Sequence, residues 1–422
     1  MNRFLLAFVV IFLTGMSGCS RDVRIGSKAF TESVILGEMA RLKGTTDDVP
    51  VSHRKGMGGT QFLWKGMLWS DIDAYPDYTG TIEQVILGDV ELPDDPAERI
   101  QAIQKALAAY DVKMTEPLGF HNTYAIGMRE DVAADLGIET VSDLKEHPDL
   151  KFGYSPEFMK REDGWPGVKK FYELPHAGKQ VRGIDHTLAY EALMQGDRGE
   201  IQAMDLYSTD PKIKKYNLRV LKDDRKFFPD YSAVFLYRAD LQERAPGLVQ
   251  AMENMVGEIS QQEMINLNAQ VELDRRQESV AAASLLNIAV TPTGLPQRLM
   301  RYTLEHLFLV VTSLAMAICV AIPLGIIAAK FPRWEKSIMV TAEIIQTIPA
   351  LALLVVLMLV IGRIGDGLQA LHLGRLPAIG PLPAIVALFM YSLLPILRNT
   401  HAGITGIPGN LRESAAAIGL SP

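Results

Sequence analysis

Few of the residue patterns that carry covalent chemistry occur in these 422 residues. A serine hydrolase places its nucleophile in a Gly-x-Ser-x-Gly turn, and a zinc hydrolase uses a His-Glu-x-x-His helix. A nucleotide-binding loop reads Gly-x-x-x-x-Gly-Lys-Ser/Thr. None of the three is present. Gly56-Met57-Gly58-Gly59 is glycine-rich, but it lacks the lysine and hydroxyl a phosphate loop needs and reads as a turn. His53, His121, His147, His176 and His186 are scattered, with no spacing that would gather them on a metal. Cys19 and Cys319 are too few for a disulfide framework or a zinc site. No catalytic residue, metal or cofactor is assigned, and an enzyme is not expected. What remains is recognition without bond-making. Thirteen tyrosines offer π faces to cations, and Lys or Arg offer donors to carboxylates.

The elements that must position such groups fall into two environments. Formal charge is −7, from 42 Lys and Arg against 49 Asp and Glu, so no basic excess points to nucleic acid. Only twelve charged residues lie within 302–422. Three runs there carry none: 306–329, 344–362 and 376–397, of 24, 19 and 22 residues. About 20 apolar residues cross a bilayer core, so spans are expected near 304–328, 338–361 and 383–397. At the other end, Arg3 precedes the apolar stretch Phe4 to Leu13, a pattern of export signals. Met16-Ser17-Gly18-Cys19 resembles a bacterial lipobox, which would make Cys19 a lipidation site; an uncleaved anchor is the alternative. With residues 20–301 outside, the basic loop Lys330 to Lys336 falls in the cytoplasm, in keeping with the positive-inside rule. The expected place is therefore the bacterial cytoplasmic membrane, multi-pass, with the first domain on the extracytoplasmic side.

Residues 22–290 alternate short β-rich runs with amphipathic helical stretches, which predicts an α/β domain with largely parallel sheets. Thr31 is expected to cap a helix over 32–42. A domain of this length divides into two lobes with a ligand site between them. Residues 291–302 are expected to link it to the membrane part, 303–422.

Several blocks resemble the osmoprotectant-type substrate-binding proteins of ABC importers, which bind glycine betaine, carnitine or choline. They are Ile25-Gly26-Ser27-Lys28-Ala29-Phe30-Thr31-Glu32, Asp71 to Thr81, Asn122-Thr123-Tyr124-Ala125, Lys160-Arg161-Glu162-Asp163-Gly164, Asp205 to Asp210 and Asp223 to Tyr231. The resemblance covers nearly all of 22–290. It implies a two-lobed, periplasmic-binding-protein-like fold of type II. It also implies a cage of four tyrosines, matched here by Tyr78, Tyr124, Tyr207 and Tyr231. The carboxylate end is matched by Lys28, Thr81 and Arg161, with Asn122 as polar neighbour. The chemistry suits such a ligand. A quaternary ammonium cannot donate a hydrogen bond, and ring faces attract it by about 0.5–2 kcal/mol each. Its carboxylate wants a guanidinium or an ammonium. Tyr75 and the tryptophans Trp64, Trp69 and Trp165 read as packing.

Residues 303–422 are similar to the permease subunits of the same importers, through Gln346 to Leu354, Leu393 to Thr400 and Glu413-Ser414-Ala415-Ala416-Ala417-Ile418-Gly419. The last block resembles the start of the cytoplasmic loop that couples permease to ATPase, with Glu413, Ser414, Ala415 and Gly419 at motif positions. Ser414 stands where the family has alanine. The family continues past this motif, so 422 residues are expected to hold only part of a permease, as a fragment or a shortened product. The partners implied are a small zwitterionic ligand, a separate ATP-binding cassette subunit and a second permease copy, with no nucleic acid. Other ligands on the same scaffold are choline, carnitine, a thiol-histidine betaine or an amino acid. A membrane-tethered receptor without transport is the remaining alternative.

Overall fold

The computed structural model describes residues 22–45, 49–88, 90, 92–93, 95–195, 200–228, 231–371 and 376–419. The export segment and Cys19 lie outside them. The chain divides between Pro292 and Thr293 into two units.

The first unit holds two five-stranded sheets. One is built from β1 (Val23–Gly26), β2 (Val51–Arg54), β3 (Ala74–Tyr78), β4 (Val112–Met114) and β10 (Ala233–Arg238), in the order β2-β1-β3-β10-β4. The other is built from β5 (Tyr124–Arg129), β6 (Phe152–Tyr154), β7 (Val181–Gly183), β8 (Ala203–Tyr207) and β9 (Leu218–Val220), in the order β7-β6-β8-β5-β9. The chain leaves the first sheet after β4 and returns to it at β10. Two crossing segments, 115–123 and 221–232, therefore join the lobes, and the two-lobed α/β expectation is met.

The expectation of largely parallel sheets is not. β1 pairs in parallel with β2 and β3, and β6 with β7 and β8. β10 runs antiparallel to both of its neighbours, and so does β5. These are the two strands entered directly from a crossing. Neither needs the helical return that parallel neighbours require, so both can run the other way.

β3 and the first five residues of β10 are buried on both faces, which explains the continuous apolar run of β10. The helix Thr31–Gly44 packs beside them. Thr31 is its first helical residue rather than its cap; Phe30 holds the cap position with extended backbone and no side-chain bond. Glu32 lies in its first turn, where the helix dipole favours a negative charge.

The second unit is helical: Leu295–Lys330, Pro332–Thr347, Ala350–Ala370, Pro381–Thr405 and Gly409–Ala417. Among the described residues three helices are long and apolar enough to cross a membrane, at Leu295–Lys330, Ala350–Gln369 and Pro381–Thr405. The expected second span, 338–361, is broken at Ile348–Pro349. Proline disfavours helix in the residue before it and donates no backbone hydrogen bond. The break is braced: the Gln346 side chain donates to the Tyr391 carbonyl at 3.1 Å, and the Tyr391 hydroxyl donates to the Ile348 carbonyl. The segment expected as a linker is already helical from Leu295, because Pro296 fits the first turn, where its missing N–H is no loss. A Cβ on Gly325 would stand 2.7 Å from Thr400 Cβ, so the helices Leu295–Lys330 and Pro381–Thr405 meet through a small residue.

Candidate functional site

Strand pairing brings the tyrosines together. Tyr124 opens β5 and Tyr207 closes β8, and the two are direct cross-strand partners. Their ring centroids are 5.3 Å apart. Tyr231 lies in the return crossing, where its carbonyl accepts from Asn122 N at 3.0 Å; its ring stands edge-on to Tyr124 at 5.8 Å. Tyr78 ends β3 and reaches the group through Phe30, which stacks 6.2 Å from Tyr78 and 6.0 Å from Tyr207. Phe158 closes the other side of Tyr124 at 5.1 Å. All four tyrosines named from the sequence thus belong to one aromatic cluster, which also contains Phe30 and Phe158.

A cavity of about 720 Å³ opens beside the cluster. Lys28, Glu32, Asn122, His186, Tyr207 and Asn268 are in its wall. Tyr124 faces a second cavity of about 440 Å³ with Phe228. Tyr78 and Tyr231 are buried behind these surfaces. Thr81 is buried in the turn Thr79–Thr81 and is not in either wall.

Both expected cations already hold carboxylates. Lys28 Nζ is 2.6 Å from Asp77 Oδ1 and 5.6 Å from the Tyr78 ring centre. Arg161 Nε donates to Asp163 Oδ1 at 2.7 Å, and a second nitrogen donates to Asp163 Oδ2. The Arg161 guanidinium lies 5.6 Å from the Tyr124 ring centre. Asp163 also accepts from the Tyr231 hydroxyl. The structure therefore brings Lys28 and Arg161 to the aromatic cluster, but as members of ion pairs.

Glu32 is the polar centre that sequence reasoning missed. It is 2% exposed. Its Oε1 accepts from Tyr78 Oη at 2.6 Å and from Asn122 Nδ2 at 2.8 Å, and its Oε2 accepts from Asn268 Nδ2 at 2.9 Å. Burial pushes its carboxyl up, against hydrogen bonds from Thr209, Tyr78, Asn268 and Asn122. In the sequence an acid in the first turn of a helix reads only as dipole compensation, so nothing marked it. In the sequence His53 is likewise one of the scattered histidines. Its Nε2 is 2.9 Å from Ser27 Oγ and its Nδ1 is 2.8 Å from Glu38 Oε1. Ser27 is fully buried and in neither cavity wall, so this relay braces the turn that carries Lys28.

In the second unit Glu413, Ser414 and Ala415 lie on the helix Gly409–Ala417, and Gly419 follows it at φ +83°, a conformation suited to glycine. Glu413 and Ser414 are exposed. Among the described residues no group of His, Cys, Asp and Glu is arranged to hold a metal.

Residues 21–287 match the family described as the substrate-binding domain of ABC-type glycine betaine transport systems. Residues 321–422 match the inner membrane component of binding-protein-dependent transport systems. The chain is 29% identical over 265 residues to the ergothioneine transport permease/ergothioneine binding protein EgtU of Helicobacter pylori (strain G27). That match covers 62% of this chain and 46% of the relative, so the chain spans less than half the relative's length. It is 31% identical over 305 residues to the carnitine transport binding protein OpuCC of Listeria monocytogenes serotype 1/2a (strain 10403S), covering 68% of this chain and 96% of that protein. A crystal structure of a glycine betaine/carnitine/choline ABC transporter superposes with a TM-score of 0.53 at 30% identity, over 63% of this chain and 98% of that one. The chain belongs to the family of substrate-binding domains of ABC-type glycine betaine transport systems, joined in one polypeptide to a permease domain of the binding-protein-dependent class.

Proposed function

We propose that the chain is the receptor and part of the permease of an ABC importer for glycine betaine or a related quaternary-ammonium osmolyte. The observation that carries this reading is the convergence of Tyr78, Tyr124, Tyr207 and Tyr231, from four separate segments, on one cluster beside a cavity. Ring faces attract a methylated ammonium, which has no hydrogen to donate. The ligand carboxylate is assigned to Lys28, Asn122 and Arg161, with Thr81 behind them. An ammonium has three donors, and its bond to Asp77 leaves Lys28 able to share.

The binding unit closes on the ligand outside the cytoplasmic membrane, and Cys19 anchors the mature chain by lipid. A separate ATPase subunit docks on the exposed helix carrying Glu413, Ser414 and Ala415, with a second permease copy completing the pathway. Titration calorimetry on the full chain in maltoside micelles tests the ligand class, with glycine betaine, choline, carnitine and proline betaine. Binding of at least one is expected; no heat with any of them overturns the proposal. The similarity to EgtU favours a second reading, a thiol-histidine betaine such as ergothioneine. Competition between it and glycine betaine for the same cavity ranks the two.

A further inference from the structure

Glu32 is a buried carboxyl whose hydrogen-bond partners are all neutral. Tyr78, Asn122 and Asn268 donate to it, and a carboxylate that only accepts satisfies all three at once. Among the described residues no Lys, Arg or His nitrogen forms an ion pair with it. Lys28, in the same cavity wall, is held by Asp77. Burial disfavours the charged form of this carboxyl, and a cation beside it favours that form. The Tyr78 hydroxyl, by donating to Oε1, ties Glu32 to the aromatic cluster that holds Phe30 and Tyr207.

We propose that the ligand's cationic centre is the missing counter-ion of Glu32, and that Glu32, partly through Tyr78, makes the site prefer a cation over a neutral group of the same shape. The inference rests on the quaternary-ammonium reading above. It assigns charge selectivity to a residue outside the ring cluster, and it predicts that shape alone does not hold the ligand.

The test compares glycine betaine with 3,3-dimethylbutanoate, which has the same carboxylate and the same outline with carbon in place of nitrogen. Affinities are measured on the full chain in maltoside micelles at pH 8, the second by competition. Glu32→Gln is expected to weaken glycine betaine at least about tenfold while shifting the neutral isostere by less than about threefold. Tyr78→Phe keeps the ring and removes the link; it should lower the same affinity ratio by a smaller factor, which guards against a folding defect in the first variant. An unchanged ratio in both variants overturns the proposal, whatever the absolute affinities, because a purely structural role weakens both ligands alike. Failure of the unaltered chain to bind any quaternary ammonium is a separate outcome: it refutes the ligand class itself and this inference with it.

Discussion

His186 gives the most quantitative prediction. It begins the helix His186–Met194, whose N-cap Asp185 accepts from Thr187 N. Its ring lies 5.1 Å from Tyr207 and 5.4 Å from Tyr190. Nδ1 is 3.7 Å from Asp205, and Nε2 is 3.6 Å from Asp210. Burial disfavours the imidazolium, but the two carboxylates more than offset it and raise the group from 6.5 to about 9. A folded-state value above the unfolded one contributes stability that is complete below pH 6.5 and is lost as pH rises through about 9. At about 1.4 kcal/mol per pH unit the full difference is about 3 kcal/mol. Both nitrogens stand beyond hydrogen-bond distance, so we expect the lower part of that range, about 2 kcal/mol. For a unit of this size that is about 4–8 °C in melting temperature. Trp64, Trp69 and Trp165 lie in the binding unit and Trp334 in the membrane unit, so intrinsic fluorescence reports mainly on the former. The unaltered chain should lose that many degrees between pH 6.5 and 9 relative to His186→Gln, whose curve should be flatter. Parallel curves for the two proteins across that window refute the ion-pair argument.

Three further outcomes follow from the same geometry. Tyr207→Ala removes a ring that touches both Phe30 and Tyr124, and glycine betaine affinity should fall by at least about 1 kcal/mol in calorimetry. Lys28→Met leaves Asp77, which is 0% exposed, without its cation; the binding unit should lose about 3–5 kcal/mol in denaturant titration, partly recovered by adding Asp77→Asn. A Cβ on Gly37 would stand 2.4 Å from His53 Nε2, whose ring is fixed between Ser27 and Glu38, so Gly37→Ala should destabilise by about 1–3 kcal/mol, seen as a lower melting temperature.

Much of the architecture was legible because it depends on local pattern. The charge-free runs marked three helices long and apolar enough to cross a membrane, since a bilayer penalises any charge along the whole length of a span. The placement of the second was less legible. The run 344–362 is continuous in hydropathy, and only Pro349 inside it signals a break. The apolar run Ala233 to Tyr237 makes strand β10 plain in the sequence. Its direction was not legible, because an antiparallel return and a parallel one place the same side chains inside.

By itself the sequence determined a charged first domain, an apolar second one, and the residue blocks that identify the family. It also named four tyrosines as a set. Tertiary structure alone decided what those residues face. Lys28 reads as a free donor in the sequence, yet Asp77, 49 positions away, occupies it. Glu32 read as a helix-end charge, yet Tyr78, Asn122 and Asn268, 46, 90 and 236 positions away, surround it. The reason is physical: periodicity and composition report burial, which is local to an element. The sign of the field in a cavity depends on which charges are cancelled across it, and only the meeting of distant segments determines that.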